Sequence, residues 1–474
     1  MKKNLIIISA FVFSFGCDDY LDVVPDNRQT VTTLDDVSEL LVSAYSEGTY
    51  NFVEWKTDNV TAIPDNDQLD WMTENYQYIP VVSHEGQDTP AYFWNNNYKA
   101  IAHANQALEE LEKIDGGDVG FRYSLKGEAL MVRAYHHFML ANVFCQHYND
   151  ANKGGLGIPY ITAPETSLKV EYERGTLEET YKMIEKDMLE ALPLISDIYY
   201  EGTGKYHFTT TAANAFASRF YLFKGEYQKS IGYSDKVLGS GVINTTYVRD
   251  MDEVFTGTSS SQIADQFNEI NSPYNIFVVR KESFSNRYYR GYRMNTNIFN
   301  NVVRANIQQS GDKRDLLYSY GTQARQQPKY NELFEYTTST IGFGYIIMTQ
   351  IRGEEVVFNR MESYVRLNRL DDALNDYNVF ATLRYDTGGQ LTIPQIVARF
   401  GGTEQEAMLD FVLLERRKEF LAEGLRWFDI KRFSLEVKHV DTNGTEFVLG
   451  EEDLRKAIQI PETATTNGIE ANPR

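Results

Sequence analysis

The sequence predicts a mainly α-helical protein, a helix-hairpin scaffold carrying large irregular loop insertions. Three observations predict it. Long stretches place apolar residues three and four apart, the spacing of one helix face. These stretches come in pairs joined by short turns of Gly, Asp or Asn. Two of the pairs match each other, SRFYLFKGEYQKSI from Ser218 and MESYVRLNRLDDAL from Met361. Tyr221 then falls on Tyr364, Gly225 on Asn368, Tyr227 on Leu370 and Ser230 on Ala373. An aromatic, a turn residue, an apolar residue and a small residue where helices cross make a tetratricopeptide-like unit, whose face is buried by the next unit.

The amino terminus, residues 1–16, reads as a signal peptide: Lys2 and Lys3, an apolar run from Leu5 to Phe13, then small residues. The run is too short to span a bilayer. Cys17 follows at the cleavage point, where bacterial lipoproteins are acylated. SFGC resembles a lipobox, with Ser14 and Phe15 as departures from its usual pattern. Acyl chains on Cys17 would anchor the protein without a spanning helix, and residues 17–26 read as the tether. Cys145, the only other cysteine, then has no disulfide partner and reads as core.

Thr33 to Tyr45 reads as a first helix, with Thr33 as N-cap and Asp36 three residues on. Residues 50–92 mix Asn, Asp, Thr, Pro, Trp and Tyr without a period, a loop region too aromatic for disorder. Tyr92–Ile114 and Phe121–Tyr148 form a hairpin broken at Asp115-Gly116-Gly117. Leu177–Leu194 is helical behind a Thr176 cap, and Thr210–Lys224 pairs with Tyr227–Leu238. The helical repeats thus occupy about 92–240 and 354–432. Between them, 240–353 is a second irregular insertion with strand-like pieces at Tyr274–Arg280 and Tyr345–Ile351. The stretch 438–474 is loop-rich, and 27–474 reads as one domain.

Leu413 to Arg432, LLERRKEFLAEGLRWFDIKR, reads as one long helix with an apolar face. Gly424 within it costs about 1 kcal/mol against Ala, which predicts a close approach by another element. Arg416, Glu419, Glu423 and Arg426 stand at spacings suited to intrahelical ion pairs. They read as a structural network rather than as a catalytic carboxylate pair.

Composition narrows the function. The chain carries 32 Tyr and 27 Phe against 4 Trp, and a net charge of −21. Such a charge repels nucleic-acid phosphates, so nucleic acid is excluded as a partner. The local exception is the basic run Arg280, Lys281, Arg287, Arg290 and Arg293. No Walker loop, nucleophile elbow or H-E-x-x-H is present. The seven histidines lack metal spacing, and His136 and His137 point to different helix faces. No catalytic residue, metal or cofactor is assigned.

In order, RAYHHFMLANVFCQHY, RGTLEETYKMIEKDMLEAL, TAANAFASRFYLFKGEYQKSI and ERRKEFLAEGLRWFDIKR resemble the SusD/RagB family, as does Gln459-Ile460-Pro461 followed by Asn472-Pro473. The resemblance implies a SusD-like tetratricopeptide scaffold with loop-borne ligand sites. It also implies a lipoprotein of the outer membrane, facing the cell exterior. The implied partner is a SusC-like TonB-dependent transporter, and the implied ligand an oligosaccharide, with peptides for some members. In enteric bacteria Asp18 after the lipid-bearing Cys favours the inner membrane; in this family acidic residues there accompany export to the surface.

Sugar rings stack C–H faces on aromatic planes while their hydroxyls need amide, carboxylate and guanidinium partners. Two loop stretches have that chemistry. The first carries Asp65, Asn66, Asp67, Trp71, Tyr76 and Tyr78; the second Tyr288, Tyr289, Arg290, Tyr292 and Arg293. Trp55, Trp94 and Trp427 read as core. The expected function is glycan capture without catalysis. Peptide capture, a lipid-anchored glycosidase and a scaffold that only recruits proteins are the alternatives.

Overall fold

The structure is a computed structural model describing residues 31–64, 68–165, 171–202, 204–255, 259–288, 290–305, 307–320, 325–326, 329–387 and 390–474. Cys17 with its signal and tether, and the predicted site residues Asp65, Asn66, Asp67 and Tyr289, lie outside those residues.

Helix hairpins carry the fold. Pro90–Lys113 packs on Val119–Phe144, which packs in turn on Leu177–Ala191. Thr210–Lys224 pairs with Tyr227–Leu238, and Gly353–Arg366 with Leu370–Thr382. Gly353–Arg366 joins the two matching units, since it also lies on Tyr227–Leu238 and on Glu404–Glu419. The matched turn residues behave alike: Gly225 and Asn368 both adopt left-handed backbone, at φ 82° and 57°. Ser230 and Ala373 are both fully buried, as small residues at a crossing must be. Arg360 binds Asp376 within its own unit and Asp235 of the other, each at 2.8 Å.

The expected caps form. Thr33 accepts from the Asp36 amide and the Asp36 carboxylate accepts in return; Thr176 and Glu179 do the same. Cys145, Trp55, Trp94 and Trp427 are buried as expected. His136 and His137 are buried hydrogen-bonding groups. His137 accepts the Ile161 amide at Nε2 and donates through Nδ1 to the Arg133 carbonyl.

The 413–432 expectation needs correction. Glu404–Glu419 and Leu425–Arg432 are two helices separated by a turn in which Ala422 and Gly424 have φ 61° and 78°. The turn is held from far away in sequence: the buried Glu54 carboxylate accepts from the Ala422 and Gly424 amides, both at 3.0 Å. The predicted close approach at Gly424 is real, because a Cβ there would stand 3.0 Å from the Tyr50 ring.

The four charges singled out in the sequence, Arg416, Glu419, Glu423 and Arg426, pair between elements rather than along a helix, although Glu415–Lys418 and Asp429–Arg432 are pairs within one. Glu419 meets Arg384 at 2.9 Å and Arg352 at 3.2 Å, and Glu423 meets Arg352 at 2.9 Å. Arg426 meets Asp58 at 2.9 Å, and Arg416 meets Asp429 at 3.3 Å. Breaking one such buried pair costs about 3–5 kcal/mol, because it strands the partner charge. At the end of this segment Lys431 donates to the Asn142 and Cys145 carbonyls, and Asn472 donates to Phe144. Together they cap the buried C-terminus of Val119–Phe144, whose last carbonyls need donors.

The insertions contain more structure than their composition suggests. A short helix Asp70–Tyr76 forms in the first. In the second, the two predicted strands form as Asn275–Lys281 and Gly342–Arg352 and pair antiparallel, Val279 opposite Met348; Leu333–Tyr336 adds a third strand. A small apolar cluster including Met251, Phe299 and Tyr318 supports this insertion and also takes in Leu421 from the turn. The C-terminal stretch contains a strand hairpin, Val437–Val440 with Glu446–Leu449, that the loop-rich reading missed.

Candidate functional site

The two loop stretches meet. Thr61 donates its amide to the Arg293 carbonyl at 2.9 Å, and the Tyr292 hydroxyl lies 3.3 Å from that of Thr73. Trp71, partly buried, leans on Trp55 with ring centroids 5.4 Å apart. Gly291, at φ 93°, lays its backbone on the Trp55 indole so closely that a Cβ would come within 2.6 Å of Nε1. Only glycine allows that contact in that conformation.

A cleft of about 800 Å³, including its open mouth, lies between these elements. One side is the 3₁₀ turn Asn51–Lys56, which presents Asn51, Glu54 and Trp55. The other is formed by Ser285, Asn286, Arg290, Tyr292, Arg293 and Met294. Tyr318, Lys329 and Tyr330 line it from the second insertion, and Leu421 and Ala422 from the turn that Glu54 holds. The broken helix therefore shapes the cleft.

The cleft's polar groups divide into engaged and unengaged. Glu54 is fully engaged by Asn59 at 2.9 Å and by the two turn amides. Lys329 is bound by Glu423 and by the Leu421 carbonyl, and burial lowers it to about 8. By contrast, Asn51 Oδ1, Asn286 Nδ2 and the Tyr318 hydroxyl are buried without a hydrogen-bond partner among the described residues. Unsatisfied buried polar atoms cost about 1–3 kcal/mol each, so three in one cleft mark a place for a polar ligand. Among the described lining residues Glu54 is the one carboxylate, and no group of three or more His, Cys, Asp or Glu among the described residues could hold a metal.

Of the predicted site residues, Arg290, Tyr292 and Arg293 line the cleft, and Trp71 abuts it through Trp55. Tyr76 and Tyr78 need correction as ligand platforms. Tyr76 is 1% exposed, sandwiched between Tyr292 at 3.9 Å and His439 at 4.1 Å, both nearly parallel. Tyr78 is 3% exposed and stacks on His439 at 4.9 Å. No ring face is left for a sugar; these two rings hold the loops together instead. Tyr288 is half-exposed beside the cleft, its hydroxyl bonded to Glu332 at 3.3 Å. Sequence reasoning missed Asn51, Asn59, Tyr318, Lys329 and Tyr330. The run NFVEWKTDN around Trp55 has the same aromatic and asparagine mixture as the chosen stretches and was the available signal.

The chain is similar to known proteins along its length. A family described as starch-binding, associating with the outer membrane, matches residues 19–222, and the SusD family matches residues 213–468. A SusD-like protein of Formosa agariphila is 21% identical over 495 residues, covering 91% of each chain. A SusD superfamily protein of Bacteroides thetaiotaomicron superposes with a TM-score of 0.69 at 20% identity, covering 94% of this chain and 100% of its own. A SusD-like carbohydrate binding protein of Bacteroides vulgatus gives 0.67 at 18% identity, with 92% and 97% covered.

Proposed function

This chain belongs to the SusD family, and we propose that it is a non-catalytic, lipid-anchored binding protein that captures oligosaccharides at the cell surface and passes them to a SusC-like TonB-dependent transporter. The observation that carries the reading is the cleft, where Tyr318 and Tyr330 stand beside buried Asn and Tyr polar atoms that lack partners among the described residues. A sugar chain supplies both complements, C–H faces for the rings and hydroxyls for the polar atoms. The named carbohydrate-binding relative in Bacteroides vulgatus supports it.

Catalysis finds little support in this geometry. A glycosidase needs two carboxylates about 5–10 Å apart across the scissile bond, and the one described carboxylate in the cleft is engaged by three donors. We propose that residues 27–474 act as one domain, since the cleft draws on residues from Asn51 to Ala422. No helix among the described residues is long and apolar enough to cross a membrane, which accords with anchoring through acyl chains on Cys17.

Four measurements test the proposal. Titration calorimetry with an oligosaccharide panel should show binding, and a reducing-end assay on the bound sugars should show no cleavage. Cys17→Ala should release the protein from outer-membrane fractions. Mild-detergent extraction of the untouched strain should bring down a TonB-dependent barrel. Cleavage of a bound sugar, or membrane retention of the alanine variant, contradicts it.

A further inference from the structure

The cleft carries a charge that the fold does not use. Three cationic side chains line it, Arg290, Arg293 and Lys329, against the single described carboxylate of Glu54. Glu54 spends its oxygens on Asn59 and on two backbone amides. Lys329 is neutralised by Glu423. Arg293 differs from both: its guanidinium makes no hydrogen bond or ion pair among the described residues, and only its main-chain carbonyl is engaged, by Thr61.

Holding a guanidinium there is unfavourable for folding. Arg293 is partly buried, and both that burial and the neighbouring Arg290 oppose its charge and lower its pKa. An arginine does not escape by losing its proton, because its ordinary pKa is above about 12. Elsewhere in this chain half-buried or buried arginines are answered by carboxylates, as at Arg287–Glu332 and Arg426–Asp58, or by backbone carbonyls, as at Arg174 with Gly157 and Glu470. An uncompensated charge kept where it costs stability marks a site whose complement arrives from outside.

We infer that the cleft selects anionic oligosaccharides, chains bearing uronate carboxylates or sulfate esters, and that Arg293 receives the anionic group. The inference rests on the glycan reading above and narrows it. The planar guanidinium matches a carboxylate or sulfate through two parallel N–H···O bonds, which gives geometry as well as attraction. Asn51, Asn286 and Tyr318 then serve the hydroxyls of the same chain. The net charge of −21 does not forbid such a ligand. Exposed charges farther than a Debye length, about 8 Å at physiological salt, are largely screened, so the guanidiniums beside the ligand decide the local field.

The test uses the full mature chain and three arms: short oligogalacturonate and oligomannuronate, the same chains after carboxyl reduction, and sulfated oligosaccharides of matched length. Calorimetry should show binding of at least one charged arm, loss of about tenfold or more on removal of the charge, and weakening as NaCl is raised. Arg293→Gln should weaken the charged ligand by a similar factor and leave circular dichroism and melting unchanged or improved. Arg293→Lys should recover part of the affinity. Equal affinity for charged and reduced chains, or full affinity in Arg293→Gln, overturns the anionic assignment while leaving glycan capture intact. Silence from every oligosaccharide, including neutral ones, overturns glycan capture itself.

Discussion

The ring of Tyr76 lies flat on that of Tyr292, centroids 3.9 Å apart and planes 3° from parallel. These residues are 216 positions apart in sequence, yet they bolt the first insertion to the second and so set the width of the cleft. Tyr292→Ala should destabilise the protein by about 3 kcal/mol in denaturant unfolding and abolish ligand binding, since it removes a buried ring and the stack together. Tyr292→Phe keeps the stack and loses only the contact with Thr73, so it should cost under about 1 kcal/mol. Equal losses in the two variants would show that the hydroxyl, not the ring, joins the loops.

The turn at 420–424 is expected to be intolerant of a side chain. Gly424→Ala places a Cβ on the Tyr50 ring and forces alanine into left-handed backbone. It should lower stability by about 2 kcal/mol, of which about 1 kcal/mol is backbone strain. An unchanged unfolding midpoint would mean that the turn yields easily and does not fix the cleft floor.

Three buried lysines make stability depend on pH. Burial pushes Lys281 and Lys431 down to about 7, and burial with Arg474 and Arg455 does the same to Lys56. Each donates to backbone carbonyls, such as Gly48 for Lys281 at 3.1 Å. Between that value and the ordinary 10.5 the unfolded chain holds a proton that the folded chain has released. Unfolding then takes up protons, so stability should rise with pH from about 7 up to the ordinary 10.5. The slope is at most about 1.4 kcal/mol per pH unit for each lysine. Lys281→Met should lessen it by one lysine's share; a slope that is already zero, or that falls, would contradict this account.

Much of the scaffold is legible in the sequence because it rests on local chemistry. The Thr33 and Thr176 caps, the left-handed Gly225 and Asn368, and the strands around Val279 and Met348 all follow from residues within a few positions of one another. The site is less legible because distant residues make it. Apolar residues recur three and four apart through much of 413–432, and the turn that divides it is held by Glu54, far away in sequence. Composition marked both aromatic stretches, but it does not tell a tyrosine offering its face from one, like Tyr76, whose two faces are already covered. Tyr318 and Tyr330 carried no pattern at all and enter the cleft through the packing of the second insertion.

Trp71 separates binding from stability. It is partly buried against Trp55 at the edge of the cleft. Trp71→Ala should weaken oligosaccharide binding about tenfold or more, since one ring–ring or ring–sugar platform contributes about 1–3 kcal/mol. Folding should persist with a modest loss of stability. Undiminished affinity would place the sugar away from this edge.

Hydrogen exchange of the mature chain with and without a bound oligosaccharide tests the central claim most directly. Slowed exchange should gather in 51–62, 68–78, 284–295 and 420–424, the four segments that enclose or brace the cleft. Slowing confined to other surfaces, with these four segments unchanged while the sugar is bound, would contradict the assignment of the cleft as the glycan site.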